Sequence, residues 1–181
     1  LFIPFTQPVT QCLVCPVGLV GAGKTTVLKP IAEALGLVRV SSDELRKQLK
    51  ENGHVFERLK ELLLPIMNRL VLGGHSIALD MDCGNPEAVA WVQRTERLYG
   101  LKVFWIKVHA PKQFIFEKFR THPPSWLAAT VQQMIENYEA QAERRAAHPI
   151  QVSFIDTIDT SKPGLQTHLR QCIRRLQSHV Q

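Results

Sequence analysis

Apolar residues along the chain repeat with two periods that alternate. Residues 11–17 form a short apolar run, and residues 24–35 then carry Val27, Leu28, Ile31, Ala34 and Leu35 at helical spacing before a stop at Gly36. Residues 37–40 predict a short strand. Ser41, with Glu44 three positions on, predicts a capping box that opens a helix through Leu45 and Leu49. Residues 54–72 predict another helix on Leu59, Leu62, Leu63, Ile66 and Leu70, bent at Pro65 and ended by Gly73 and Gly74. A strand over 75–80 closes on an acid, a helix follows over 86–99, and residues 101–108 read as a buried strand containing Val103, Phe104, Trp105 and Ile106. Residues 111–120 predict a helix interrupted by Thr121, His122, Pro123 and Pro124. From Ser125 a longer helix is marked by Leu127, Val131, Ile135, Tyr138 and Ala142. Ile150, Val152 and Phe154 alternate as a last strand, and Leu165, Leu169, Cys172, Ile173, Leu176 and Val180 stripe a C-terminal helix.

Strand and helix thus alternate about five times, which specifies an α/β fold with a five-stranded, mostly parallel sheet and helices on both faces. In such sheets ligands bind beyond the carboxyl ends of the strands, so the loops after Val17, Val40, Asp80 and Val108 are expected to converge. A chain of 181 residues with 45% hydrophobic composition suits one domain over 1–181 with one well-buried core.

Charge narrows the partners only slightly. Lys and Arg number 22 against 16 Asp and Glu, a net +6 that suits an anionic partner; a nucleotide and its acceptor suffice, and nucleic acid is permitted without being implied. No run of about 18 apolar residues offers a membrane span. Residues 1–5 lack the basic region and apolar core of a signal peptide, so a cytoplasmic protein is expected. Cys12 and Cys15 form C-x-x-C inside an apolar run, with Cys83 and Cys172 standing alone, so core packing is the expectation rather than a metal knuckle. Pro16 fits a strand only near its end, where a missing ladder donor is tolerated.

The chemistry begins between the first strand and the first helix. Gly18, Leu19, Val20, Gly21, Ala22, Gly23, Lys24 and Thr25 match G-x-x-x-x-G-K-[ST] at every constrained position. Glycines permit the positive φ that turns backbone N–H groups toward an anion, Lys24 reaches the outer phosphates, and the Thr25 hydroxyl is suited to Mg²⁺. The loop runs into a helix N-terminus, whose dipole also favours anions, so Thr26 joins the expected nucleotide contacts. Asp43 and Arg46 lie three apart at a helix start and share a face. There a carboxylate can take a proton from an acceptor hydroxyl while the arginine clamps an anionic group, although a surface pair on the helix dipole has the same spacing. Asp80, directly after Ile77, Ala78 and Leu79, has the Walker-B arrangement for holding Mg²⁺, with loop capping as the alternative. Asp82 could belong to the acceptor site or serve its turn. Positive charge over the transferring group is sought at Arg120, for its planar fork, or Lys118, with His122, Arg144 and Arg145 as further candidates. Arg170, Arg174 and Arg175 read as the wet face of the last helix.

Taken together, the phosphate loop, the run from Ser41 to Arg46, the strand ending at Asp80, the basic helix leading to Pro123, Pro124, Ser125 and Trp126, and Asn137-Tyr138-Glu139 resemble the P-loop kinases grouped with zeta toxin and the polynucleotide-kinase 5′-hydroxyl kinase domain. The resemblance spans nearly the whole chain. It implies a three-layer P-loop NTPase fold with a short lid near residues 118–146, ATP and Mg²⁺ as cofactors, Asp43 as general base and Arg46 on substrate phosphate. The family's lid carries two arginines; here Lys118 takes the first position and Arg120 is out of register. Asp82 stands where a small hydroxyl residue is common, and Cys83 where Asn is frequent. The expected activity is transfer of the γ-phosphoryl of ATP to a hydroxyl of a small molecule. A nucleic-acid 5′-hydroxyl kinase and a nucleotide-binding regulator with little catalysis are the alternatives.

Overall fold

The computed structural model describes residues 10–54, 59–123 and 129–180. Five strands, β1 (Cys12–Val17), β2 (Val38–Ser41), β3 (Ile77–Asp80), β4 (Lys102–His109) and β5 (Phe154–Asp159), form one sheet in the order β2-β3-β1-β4-β5. Every neighbouring pair is parallel. Parallel neighbours require crossovers, and among the described residues seven helices supply them: α1 (Lys24–Leu35), α2 (Ser42–Glu51), α3 (Leu59–Leu72), α4 (Pro86–Tyr99), α5 (Lys112–Thr121), α6 (Val131–Ala147) and α7 (Leu165–Val180).

Side chains alternate across β1 and divide the interior in two. Cys12 and Val14 join Val27, Leu28 and Ile31 of α1, Ile115 and Phe119 of α5, and Leu169 and Leu176 of α7 on one face. Leu13, Cys15 and Val17 join Met67 and Val71 of α3 and Val92 of α4 on the other. The sheet is therefore the middle of three layers, and β1, buried throughout, is continuously apolar as a two-sided strand must be. Cys12 and Cys15 face opposite layers, and all four cysteines are buried and unbonded, in agreement with the core reading.

Pro16 is accommodated where the β1–β3 ladder ends. The paired residues stop at Val14↔Ala78, and the Pro16 carbonyl accepts instead from the Cys83 N–H at 2.9 Å, so the missing donor faces no strand partner on that side. Gly36 caps α1 with φ 63°, and Asn85 caps α4 by accepting from the Ala88 N–H, with Pro86 in the first turn. Some element ends and caps differ from expectation. The expected last strand at Ile150 begins at Phe154, because Ile150 and Val152 pack half-buried with the α3/α4 side before pairing with β4 starts. The expected capping box at Ser41 is half formed: Ser41 Oγ accepts from the Glu44 N–H at 3.3 Å, while the Glu44 carboxylate turns to Arg39. A full box forms instead at Thr130 and Gln133, at the start of α6. Residues 55–58 of the helix expected from 54, and Pro124, Ser125, Trp126 and Leu127, lie outside the described residues.

Candidate active site

Because β1 lies between β3 and β4, and β3 lies beside β2, the loops leaving β1, β2 and β3 open on one edge of the sheet. The first is the phosphate loop. Gly21 and Gly23 have φ of 78° and 92°, and Ala22 N–H donates to the Leu19 carbonyl at 3.1 Å to close the turn. Only glycine fits at three places. A Cβ on Gly18 would lie 2.2 Å from the Val108 carbonyl oxygen, one on Gly21 2.7 Å from Ile115 and Phe119, and one on Gly23 2.9 Å from Thr160. Thr160 also locks the loop from the end of β5, its hydroxyl donating to the Ala22 carbonyl at 2.8 Å. Gly23 caps α1 without a side-chain acceptor, so the first helical amides, those of Lys24, Thr25 and Thr26, are offered to an anion.

The Lys24 ammonium folds back onto the Gly18 and Leu19 carbonyls at 2.9 and 3.0 Å. Burial pushes its pKa down, opposed by the carboxylates of Asp82, Asp43 and Asp80 and by the Cys83 thiol, so these acids surround one cation. Thr25 Oγ1 donates to Asp80 Oδ1 at 2.9 Å, joining the loop after β1 to the end of β3. The Asp80 side chain is only 2% exposed. Burial pushes its carboxyl above the usual range, while hydrogen bonds from Thr25 and Arg39 hold it down. A hydroxyl beside one carboxylate is an all-oxygen donor set that suits Mg²⁺, an ion that keeps waters and phosphate oxygens as its remaining ligands. Among the described residues no group of three or more His, Cys, Asp or Glu forms a self-sufficient metal site.

Asp43 and Arg46 open α2 and bond each other, Nη1 to Oδ1 at 2.7 Å, both substantially exposed. Leu45, Gln48 and Leu49 of the same helix, with Asn52, His54 and Leu62, line an open cavity of about 320 Å³ that neither Asp43 nor Arg46 lines. Asp82 is placed at the phosphate loop itself. Its Oδ1 accepts from the Gly18 N–H at 3.3 Å and the Gly84 N–H at 3.1 Å, and its Oδ2 from Gln141 at 3.0 Å and Arg145 at 2.6 Å. Gln141 uses its other end to accept from the Val20 N–H at 2.7 Å. Thus α6 reaches the loop through two side chains four residues apart on one helical face. Gly84 makes room for this approach, since a Cβ there would overlap the Arg145 guanidinium.

The structure does not bring Lys118 or Arg120 into this group. The face of α5 that meets the loop presents Ile115 and Phe119; Lys118 is exposed, and Arg120, 57% exposed, lies 3.7 Å from Glu117 on its own helix. His122 is exposed and bonds Thr121; Arg144 is exposed and bonds the Ala140 carbonyl of α6. Arg175, expected on the wet face of α7, is half exposed but pairs with Asp156 at 2.6 Å. Sequence spacing gave no sign of Arg39, which holds Asp80, or of Gln141.

A sequence profile of the AAA domain family matches residues 13–141. No curated protein matches the chain. Among solved structures the chain is similar to a gluconokinase from Sinorhizobium meliloti, at 16% identity and TM-score 0.61, covering 96% of this chain and 94% of that one. It is also similar to an APS kinase from Mycobacterium tuberculosis in complex with AMPPNP and APS, at 17% identity and TM-score 0.59 over 94% and 99% of the two chains. A shikimate kinase from Bacteroides thetaiotaomicron aligns at 16% identity and TM-score 0.60 over 93% and 97%. At these identities the likeness is one of fold, the parallel five-stranded α/β architecture of P-loop kinases.

Proposed function

This chain belongs to the AAA domain family, and within it we propose an ATP-dependent kinase that transfers the γ-phosphoryl group to a hydroxyl of a small molecule. One observation carries the reading: Thr25 of the phosphate loop meets Asp80 at 2.9 Å, with Asp43 and Arg46 in the helix that follows the neighbouring strand. The loop amides and Lys24 bind the phosphates, Lys24 exchanging its two carbonyl partners for phosphate oxygens. Thr25 and Asp80 are the residues that would hold Mg²⁺, which when bound neutralises charge on the phosphates. Asp43 accepts the proton of the attacking hydroxyl, and Arg46, its ion-pair partner in the absence of substrate, turns to an anionic group of the acceptor.

For the arginine over the transferring group we propose Arg145, already at the phosphate loop through Asp82, ahead of Arg120 and Lys118, which would need α5 to rotate. The solved structures of similar fold include a gluconokinase, an APS kinase and a shikimate kinase, and they support a small-molecule acceptor over a polymer. The narrower likeness to zeta toxin and polynucleotide kinases rests on Asp43 and Arg46.

The test is a phosphorylation screen of a metabolite pool and a 5′-hydroxyl oligonucleotide with γ-labelled ATP. Label should pass to a small hydroxyl compound, and Asp43→Asn should bind ATP normally while losing transfer by about a hundredfold or more. Tight ATP binding with no transfer to any acceptor would instead make the chain a nucleotide-binding regulator.

A further inference from the structure

Both oxygens of the Asp80 carboxylate are engaged. Oδ1 accepts from the Thr25 hydroxyl at 2.9 Å, and Oδ2 is held by Arg39 Nη1 at 2.5 Å. Arg39 lies in the edge strand β2, and its second nitrogen, Nη2, is on the Glu44 carboxylate of α2. The three exposures are graded. The Asp80 side chain is 2% exposed, Arg39 19% and Glu44 60%, so one guanidinium fork spans from a buried acid to a solvated one. A buried carboxylate needs a positive or hydrogen-bonded partner, and Arg39 is the cation that supplies it in the absence of ligand. Nothing in the proposed transfer reaction uses Arg39 or Glu44.

We propose that Arg39 is a positioning residue that acts as the resident counter-cation of Asp80, and that a divalent ion reaches the site by displacing the guanidinium onto Glu44. This inference rests on the reading of Thr25 and Asp80 as the metal-holding pair. Arg39 orients Asp80 so that Oδ1 faces Thr25, keeps the buried charge compensated, and lowers the affinity of the bare site for free metal. Glu44 is the alternative anchor: it competes with Asp80 for the same fork and eases the release. The two residues should therefore act on metal affinity in opposite directions. A merely structural salt bridge would not produce that sign reversal, because breaking it from either side would loosen the site.

Manganese binding to the nucleotide-free protein, followed by electron paramagnetic resonance at pH 8, reads this without any catalytic turnover. Arg39→Gln should bind Mn²⁺ about tenfold more tightly than the unmodified chain, the scale by which a charge in contact shifts an ionic equilibrium. Glu44→Gln, which leaves Arg39 wholly on Asp80, should bind it more weakly. Arg39→Lys should restore the original affinity, and adding Asp80→Asn should abolish the difference between the unmodified chain and Arg39→Gln. Equal or weaker Mn²⁺ binding by folded Arg39→Gln, or a change of the same sign for Arg39→Gln and Glu44→Gln, would overturn the proposal. A chain that binds Mn²⁺ in the predicted order but no Mg-ATP would retain the role of Arg39 as counter-cation and refute the kinase reading instead.

Discussion

Gly18 and Gly36 are both glycines beside α1, but the structure requires glycine at each for a different reason, and replacing each by alanine separates the reasons. At Gly36 φ is 63° and a Cβ would meet nothing within 4 Å, so Gly36→Ala incurs only left-handed backbone strain, about 1 kcal/mol. At Gly18 the conformation is ordinary, but the added Cβ would lie 2.2 Å from the Val108 carbonyl oxygen, against 3.4 Å for ordinary contact. Relief therefore needs about 1 Å of backbone displacement between β1 and β4. No side chain can rotate out of the way. The cost belongs at the upper end of the overpacking range, about 3 kcal/mol. The difference of about 2 kcal/mol corresponds to roughly 4–8 °C in Tm for a chain of this size. Thermal and urea denaturation of the two variants check it. Gly18→Ala should also weaken nucleotide binding, because the displaced loop no longer presents its amides in the cradle geometry. A Gly18→Ala protein melting at or above the temperature of Gly36→Ala would refute the claim that contact with β4 fixes this position.

Other outcomes follow from the same geometry. Arg145→Met should reduce phosphoryl transfer by about a hundredfold or more with little change in ATP affinity, while Arg120→Met stays near the original rate; the reverse order in steady-state kinetics would return the role to α5. Gln141→Ala removes the acceptor of the Val20 N–H and one partner of Asp82, and should destabilise the ligand-free protein by about 1 kcal/mol in urea titration while lessening the competition met by phosphate at the loop. The Ser161 hydroxyl and N–H hold the Asp159 carboxyl below its usual value. A depressed folded pKa contributes stability that is complete above the unfolded value of about 3.9 and is lost as pH falls through the folded one. Asp159→Asn should therefore lower stability slightly at neutral pH and converge with the unmodified chain at the acid end, flattening the limb below about pH 4 in urea titrations across pH.

How much of this was legible in the chain depended on range. The phosphate loop was readable because its requirements are local: a Gly at positive φ, a Lys and a Thr at fixed offsets need no knowledge of the rest of the fold. Asp43 and Asp80 were readable for a related reason, since each ends a strand or follows one closely, and strand ends could be located by hydrophobic period. The approach to β5 misled for the opposite reason. Ile150 and Val152 alternate because they pack on one side of the sheet, yet alternation cannot report where hydrogen bonding to β4 begins. Lys118 and Arg120 illustrate the same limit on a helix. Their spacing from Phe119 already put them off its buried face, but which face of α5 meets the loop depends on where β4 delivers the helix.

The contacts that could not be read are those between residues distant in sequence. Arg145 meets Asp82 across 63 positions, Gln141 meets Val20 across 121, and Arg39 meets Asp80 across 41. Each reaches the site only because parallel crossovers bring β1, β2 and β3 side by side and lay α6 across their ends. They also share one physical task. Without ligand, the loop has amide donors pointing outward, a half-buried lysine and a buried carboxylate, none of which can be left uncompensated. Asp82 and Gln141 accept from the Gly18 and Val20 amides, the loop carbonyls accept from Lys24, and Arg39 neutralises Asp80. On the proposed reading a nucleotide with its metal would supply matching charges, and binding would be an exchange of partners rather than the filling of a void. Side chains far from the motif would then set its affinity, through the stability of the arrangement that ligand must replace.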